Sequence, residues 1–523
     1  MTARQVGTIE FCVLAEISPL DGAPLGTWPS AGPREAEAAM ARAREAFPSW
    51  AMRTVSDRAK LFGELAHLIV RELDAVVDAI VRSTGKGQVE ALSSDVLATL
   101  DILHYYRKQA AAILAPQRRA SSTIHLGTSF EVEWSPLGVV AVIAPWNLPF
   151  QLALVPAASA LVAGNAVLLK PSERTPSIGA LIGDLVRRAG FPEGVLQVVQ
   201  GGGDTGRALI EARPDKVFFT GSTASGRKVM AAAAANLVPV ELELGGKDPA
   251  LVFADADFDR AVAGIAYGAF ANTGQVCLSI ERAYVERAIH DRFLEAVAEL
   301  AAGLRVGPGP DTDLGPLILD RQREIVDAHL ADALGKGATP VRPISREQGL
   351  YHPVVLRNAT HAMKVMTEET FGPILPVMAF ADEDEAVRLA NDSAYGLGAS
   401  VWTADLGRGR RVASRLCCGS VTVNDVLKTS GNPDAPFGGE RSSGFGRYHG
   451  PEGLWAFSRQ KTVAVTAGRL GREPNWFPHT PQLYQTTRTL VQTLYAGEGA
   501  FKKGARIAGS LFDELRRRLK KRR

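Results

Sequence analysis

The stretch GVVAVIAPW (138–146) sets a run of apolar residues between a glycine and a proline. A short apolar run with turn residues at its ends reads as a strand. Four more such runs follow: NAVLLKPS (165–172), VLQVVQG (195–201), KVFFTGS (216–222) and PVELELGG (239–246). Ala- and Leu-rich stretches of helical character separate them, at 150–162, 176–190, 204–212 and 224–235. Strands alternating with helices on short connections make a parallel, doubly wound sheet. Each run ends at or near Pro, Gly or Ser, so the carboxyl ends of the strands open into loops. Open α/β sheets bind ligands along that edge.

Upstream, Leu61, Leu65, Ile69 and Leu73 recur every four residues, with Phe62, Leu68 and Val76 beside them, which predicts one amphipathic helix over 58–81. Residues 121–135 alternate polar and apolar around Gly127, the pattern of a β-hairpin. After Gly246 a second alternation begins. RAYVE (282–286) and SVWTA (400–404) lie among helical stretches 255–270, 288–303 and 384–391, which predicts a second α/β domain. A chain of 523 residues is too long for one compact core, so two or three domains are expected.

Composition is that of a soluble globular α/β protein: 46% apolar and 22% charged, with 51 Gly and 30 Pro. Four cysteines (Cys12, Cys277, Cys417, Cys418) are too few for a disulfide framework, which points to a reducing cytosol. The first residues lack the long apolar core of a signal peptide, and no stretch is apolar enough to span a bilayer. The net charge of +3 is unevenly placed. Ten Lys or Arg and three acids fall between Gly497 and Arg523, so the basic character belongs to a tail and the body is acidic.

Two glycine motifs invite a nucleotide reading. GGGDTG (201–206) matches G-x-G-x-x-G between a strand and a helix, but no acid stands about 20 residues on to hold a ribose. A tight strand-to-helix turn is the simpler reading. GSTASGRK (221–228) approaches a P-loop, yet Gly226 is followed by Arg227 and Lys228 where that loop needs Lys and then Ser or Thr. Its Gly and Ser amides at a helix start still suit a pyrophosphate. HExxH and CxxC do not occur and the nine His are scattered, so no metal site is expected.

Four clusters remain, each with a plain structural alternative. Asn147 could cap helix 150–162. Lys170 and Glu173 could be a solvated loop. Glu243 lies within a strand, where a carboxylate needs a partner or a function. Cys277 in GQVCLSI (274–280) could be core filling.

Taken together and in order, APWNLPF (144–150), LLKPSE (168–173), FFTGSTASG (218–226), ELGGKDP (243–249), NTGQVC (272–277), EETFGP (368–373), YGLGASVWT (395–403), VTVND (421–425) and PFGGERSSGFGR (436–447) closely resemble the aldehyde dehydrogenase superfamily. The resemblance runs from the N-terminus to about residue 466. It implies NAD(P)-dependent oxidation of an aldehyde to a carboxylic acid. Cys277 is the implied nucleophile. Asn147, with the Cys277 backbone N–H, is the implied oxyanion donor, and Glu243 activates the water that hydrolyses the thioester. Relatives that acylate coenzyme A usually lack a carboxylate at that place, so Glu243 favours a free acid; a coenzyme A-acylating enzyme or a non-catalytic NAD-binding protein are the alternatives.

The implied cofactor contacts are Lys170, Ser172 and Glu173 at the adenosine ribose, Gly221 and Ser222 at the pyrophosphate, and Glu369, Phe371 and Trp146 around the nicotinamide end. The Glu173 carboxylate accepts from ribose hydroxyls and repels a 2′-phosphate, which favours NAD, although NADP is also used by relatives with this residue. GGGDTG falls near the adenine end. Arg441 replaces a commoner Lys, and Cys417 and Cys418 match no motif and are read as packing.

The implied fold is α/β. It has a parallel-sheet NAD-binding domain (1–118 and 137–245), an α/β catalytic domain (246–440) and a β oligomerisation arm (119–136 and 455–466). The arm implies a homodimer or homotetramer. Residues 426–436, with Val276, Leu278 and Ile280, are expected to line an apolar substrate tunnel, which favours an apolar or aromatic aldehyde. Beyond the family's usual end, 467–523 is a tail in which Ile507, Leu511, Leu515 and Leu519 repeat every four residues before RRRLKKRR. A basic amphipathic helix reads either as peripheral membrane contact or as a helix packed on the body. Its charge alone would also allow nucleic acid, but without interleaved aromatics none is expected.

Overall fold

The computed structural model describes residues 13–122, 125, 127–309, 312–347, 350–468, 472–473 and 475–495. The described chain divides into two units. One runs to Pro116 and from Glu133 to Lys461; the other comprises Gln117–Val132 and the chain from Thr462.

In the first unit the five apolar runs become the strands Val139–Ile143, Ala166–Lys170, Leu196–Val198, Lys216–Thr220 and Val240–Glu243. All pair in parallel. Val139–Ile143 lies in the middle. The chain builds outward through Ala166–Lys170 to Leu196–Val198, then returns to the other side with Lys216–Thr220 and Val240–Glu243. The order therefore reverses between Val139–Ile143 and Lys216–Thr220, the place where a doubly wound sheet leaves a crevice at its carboxyl edge. A short strand, Gly444–Phe445, closes the far edge antiparallel to Val240–Glu243. Helix Gln151–Val162 is buried along its whole length, as its uninterrupted apolar sequence requires.

The second alternation forms a seven-stranded sheet. Its spatial order is Thr339–Pro340, Val354–Arg357, Ile374–Phe380, Ile280–Glu286, Asp248–Val252, Gly398–Trp402 and Ser420–Val423. Only the edge pair at Thr339–Pro340 is antiparallel. The large apolar side chains Trp402, Tyr284, Phe270 and Phe293 fill the core around it.

Two sequence expectations change. Residues 58–81 are two helices, Val55–Arg71 and Leu73–Thr84, because Glu72 leaves helical geometry (φ −109°, ψ 25°); its carboxylate pairs with Arg188 at the surface. The hairpin predicted at 121–135 starts earlier. Gln117–Arg119 pairs antiparallel with Phe130–Val132 of the strand Thr128–Pro136, and the described residues 121, 122, 125 and 127 of the predicted hairpin belong to no strand. The strand Ser458–Thr466 completes a three-stranded sheet with these two.

In the second unit, helix Pro481–Tyr495 buries none of its side chains. The repeat at 507–519 and the basic end lie outside the described residues. Among the described residues no helix is long and apolar enough to cross a membrane.

Candidate active site

A cavity of about 270 Å³ opens where the strand order reverses. Trp146 and Asn147 enter it from the end of Val139–Ile143, Gly221 and Ser222 from the end of Lys216–Thr220, and Glu243 from the last position of its strand. Cys277 enters from the loop after helix Phe258–Phe270, and Glu369 and Phe371 from the loop before Ile374–Phe380. Eight of the residues implied by resemblance therefore line one space.

Lys170, Ser172 and Glu173 do not line it. Lys170 is buried at the end of the next strand, its ammonium donating to Pro171 O at 2.9 Å and lying 3.5 Å from the Glu173 carboxylate. Burial lowers its pKa, opposed by Glu173. Ser172 Oγ accepts from Arg174 N and shapes the turn. Gly206 of GGGDTG packs on the Lys170 stem, and a side chain there would meet it. That glycine motif is thus a strand-to-helix turn beside Lys170.

Asn147 is not a helix cap. Its amide nitrogen donates to Gln275 O at 3.0 Å, which leaves the second N–H for the cavity it lines. Its backbone oxygen accepts from Lys86 Nζ (2.8 Å) and Asn272 Nδ2 (3.1 Å). Lys86 in turn pairs with Asp95 at 2.8 Å, both fully buried. Asp95 Oδ1 accepts from Phe150 N and Gln151 N and so caps the helix for which Asn147 was the alternative cap. Asp95 lies on a π-helical stretch, Ala91–Leu97, a wide turn often found at functional sites.

The loop before the cysteine is strained. Asn272 (φ 50°) and Thr273 (φ 58°) are both left-handed, a conformation costing about 1–2 kcal/mol per residue. Asn272 Nδ2 to Asn147 O, Thr273 Oγ1 to Gly315 O and Gln275 Nε2 to Asn272 O hold it there. Gly246 is pressed against Cys277 O, so only glycine fits. Glu369 Oε1 accepts from Gly246 N at 3.1 Å, and a Cβ on Gly245 would lie 2.1 Å from the Glu369 carboxylate. The Glu369–Phe371 loop is itself braced by Glu281, which accepts from Thr370 N and Phe371 N and pairs with buried Lys247.

The electrostatics favour protonated groups at rest. Burial pushes the Cys277 thiol well up, reinforced by Asp248, Glu243 and Glu369; only the Leu278 N–H opposes it. Burial, then the charge of Glu241, holds Glu243 well above the carboxylate range, and neither of its oxygens has a hydrogen-bond partner. Glu369 is raised to about 8 by burial and Glu281.

The expected apolar tunnel is corrected. Leu278 and Ile280 turn into the core, packed on Gly398 and Gly268, because Ile280 already begins a strand of the second sheet. Leu152, Phe437 and Tyr448 supply the apolar wall beside Cys277. Leu319, Arg321, Gln322 and Ile325, at and before helix Asp320–Gly335, form another wall that no motif had indicated. Cys417 is exposed, so the packing role holds only for Cys418, whose thiol donates to Ser420 O.

Residues 11–463 match the aldehyde dehydrogenase family. The 4,4'-diapolycopene aldehyde oxidase of Methylomonas sp is 45% identical over 494 residues, 94% of this chain and 93% of that protein. The fold is similar to betaine aldehyde dehydrogenase from Staphylococcus aureus in complex with NAD+ (TM-score 0.83, 32% identity, 90% of this chain and 94% of that one). It is equally similar to an E. coli NADP dependent enzyme (TM-score 0.83, 32% identity, 87% and 95%). With the matched span covering most of its length, this chain belongs to the aldehyde dehydrogenase family.

Proposed function

We propose that the protein oxidises an apolar aldehyde to the free carboxylic acid with NAD, through a thioester on Cys277. The observation that carries this reading is convergence: Asn147, Glu243 and Cys277, far apart in sequence, line one cavity with Trp146, Gly221, Ser222, Glu369 and Phe371.

The residues present fit a dinucleotide. Ser222 caps helix Thr223–Ala234, whose first N–H groups suit a pyrophosphate. Glu369, fixed on the Gly245–Gly246 backbone, is a fixed acceptor for ribose hydroxyls. Trp146 and Phe371 meet edge to face, centroids 5.6 Å apart, as an aromatic wall. Glu173, beside Lys170, supports NAD over NADP. When bound, the nicotinamide accepts the hydride.

Cys277 gives up its S–H proton to water in the cavity and attacks the aldehyde carbon through the thiolate, and the second Asn147 N–H and the Cys277 backbone N–H hold the oxygen of the adduct. After oxidation the acyl group remains on Cys277 as a thioester. Glu243 takes a proton from water, the new C–O bond forms, and the C–S bond breaks to release the acid. Leu152, Phe437 and Tyr448 beside Cys277 favour an apolar chain or ring, in keeping with the diapolycopene aldehyde relative.

An aldehyde panel of benzaldehyde, long-chain alkanals and succinic semialdehyde tests this, followed by NADH formation with and without coenzyme A. The expected result is acid formation from the apolar members, lost in Cys277→Ala. Faster acyl-CoA formation, or a preference for succinic semialdehyde, overturns it.

The arm strands 117–119, 128–136 and 458–466 support a homodimer or homotetramer by sheet pairing. Trp476, Phe477, Tyr484 and Tyr495 are exposed just ahead of the basic segment, which supports contact with an anionic membrane surface. Removing 505–523 should abolish co-sedimentation with anionic liposomes; unchanged binding refutes that contact.

A further inference from the structure

The strand that presents Glu243 carries a second buried carboxyl on the same face. Glu241 and Glu243 are two residues apart and so point to one side of the strand. Both are covered by the glycine backbone of one segment: a Cβ on Gly438 would lie 2.9 Å from Glu243 Oε1, and one on Gly446 would lie 2.4 Å from Glu241 Cγ. Three of their four oxygens (both of Glu243 and Oε1 of Glu241) have no hydrogen-bond partner. The fourth, Glu241 Oε2, lies 2.6 Å from Lys216 Nζ on the neighbouring strand. Lys216 also donates to Ala456 O at 2.7 Å, and its side chain is 10% exposed.

Such an arrangement is costly for a structural element. Each unpaired buried acceptor forfeits its hydration, and a buried Lys–Glu pair adds little stability over an apolar pair. The chemistry gives it a use. Each hydrolysis leaves a proton on Glu243, whose cavity side faces substrate and cofactor.

We propose that Glu241 is a positioning residue that returns Glu243 to its basic form, taking the proton from Glu243 and passing it out past Lys216 at the back of the sheet. The inference rests on Glu243 being the base for hydrolysis. In the step, the water O–H bond breaks and Glu243 binds the proton. The Glu243 O–H bond then breaks as Glu241 Oε1 gains the proton, directly or through the Tyr448 hydroxyl or one water. Glu241 finally releases it to solvent along Lys216. One proton leaves per ester cleaved, and nothing is oxidised or reduced. The other titratable groups acting on this pair are Arg447, from the covering segment, whose backbone N–H also acts on Glu241, together with Cys277, Tyr448 and Tyr106; the Tyr106 hydroxyl is engaged with Ser159 at 2.5 Å.

The test is Glu241→Gln, which keeps an acceptor for Lys216, with Lys216→Met as the variant at the other end of the path. Rapid-mixing NADH formation is followed from pH 6 to 10 on the full chain, with and without added imidazole. The expected result is a first-turnover NADH burst like wild type, a steady-state rate about 10–100-fold lower, and partial rescue by imidazole as an external proton carrier. Unchanged steady-state rates in both variants overturn the proposal. So does an acid limb that merely moves to lower pH at full kcat, since Glu241 would then act only by its charge. Glu243→Gln is run beside them: if it keeps wild-type turnover, the reading of Glu243 as the base fails, whatever Glu241 does.

Discussion

Replacing Asp95 by alanine should damage both stability and rate, for separable reasons. Asp95 and Lys86 are fully buried and 2.8 Å apart. Removing one partner of a buried pair leaves an uncompensated charge, which costs about 3–5 kcal/mol. Phe150 N and Gln151 N also lose their acceptor. Against a total stability of about 5–15 kcal/mol, that is a large fraction. The rate should fall because Lys86 is no longer held on Asn147 O. Asn272 still holds that oxygen and Gln275 the amide, so the oxyanion donor shifts without being lost, and kcat should drop about 10–100-fold. Urea unfolding and steady-state NADH formation measure the two effects. The double variant Asp95→Ala/Lys86→Met removes the stranded charge and should recover most of the stability while kcat stays low. A loss below about 1 kcal/mol for Asp95→Ala, or an unchanged kcat, would show that the Lys86–Asp95 pair neither holds the fold nor positions Asn147.

Other outcomes follow from the same site. Cys277 and Glu243 are both held protonated by burial, so kcat/KM should rise with pH well above the ordinary glutamate range; a profile flat from pH 5 upward would contradict this. In the folded chain Glu243 keeps its proton at a pH where the unfolded chain releases it, so wild-type stability should fall as pH rises above about 4.5. Glu243→Gln lacks that loss and should be the more stable protein at pH 8, by about 1–3 kcal/mol in urea unfolding, with the gap closing toward pH 5. Gly245→Ala drives a methyl into the Glu369 carboxylate and should raise the KM for NAD about tenfold with little change in melting temperature.

Much of the fold was legible because it rests on local pattern. Four of the five apolar runs from Val139 to Glu243 are buried strands and the fifth, Leu196–Val198, is half-buried at the edge; their short connections to helices dictate a parallel sheet. The break at Glu72 was not legible, because the apolar four-residue spacing runs on through it while the backbone of Glu72 leaves helical geometry. That Asn147, Glu243 and Cys277 belong together was legible through ordered motifs, and they line one cavity. Their supports were not: Lys86 and Asp95 reach Asn147 only in three dimensions, and Asp95 projects from a π-helical turn that an α-helical period does not anticipate. Leu278 and Ile280 misled because apolar neighbours of a nucleophile can face the core as readily as the pocket. Glu241 was visible beside Glu243, but only burial and the Lys216 pair give it meaning.

In the proposed chemistry Cys277 carries the acyl group and Glu243 frees it. Its most direct test is peptide mass mapping of acid-quenched Glu243→Gln protein after incubation with NAD and a long-chain alkanal at alkaline pH. The acyl mass should appear on the peptide containing Cys277, with little free acid. Free acid formed at the wild-type rate, or acylation at Cys417 in place of Cys277, would contradict it.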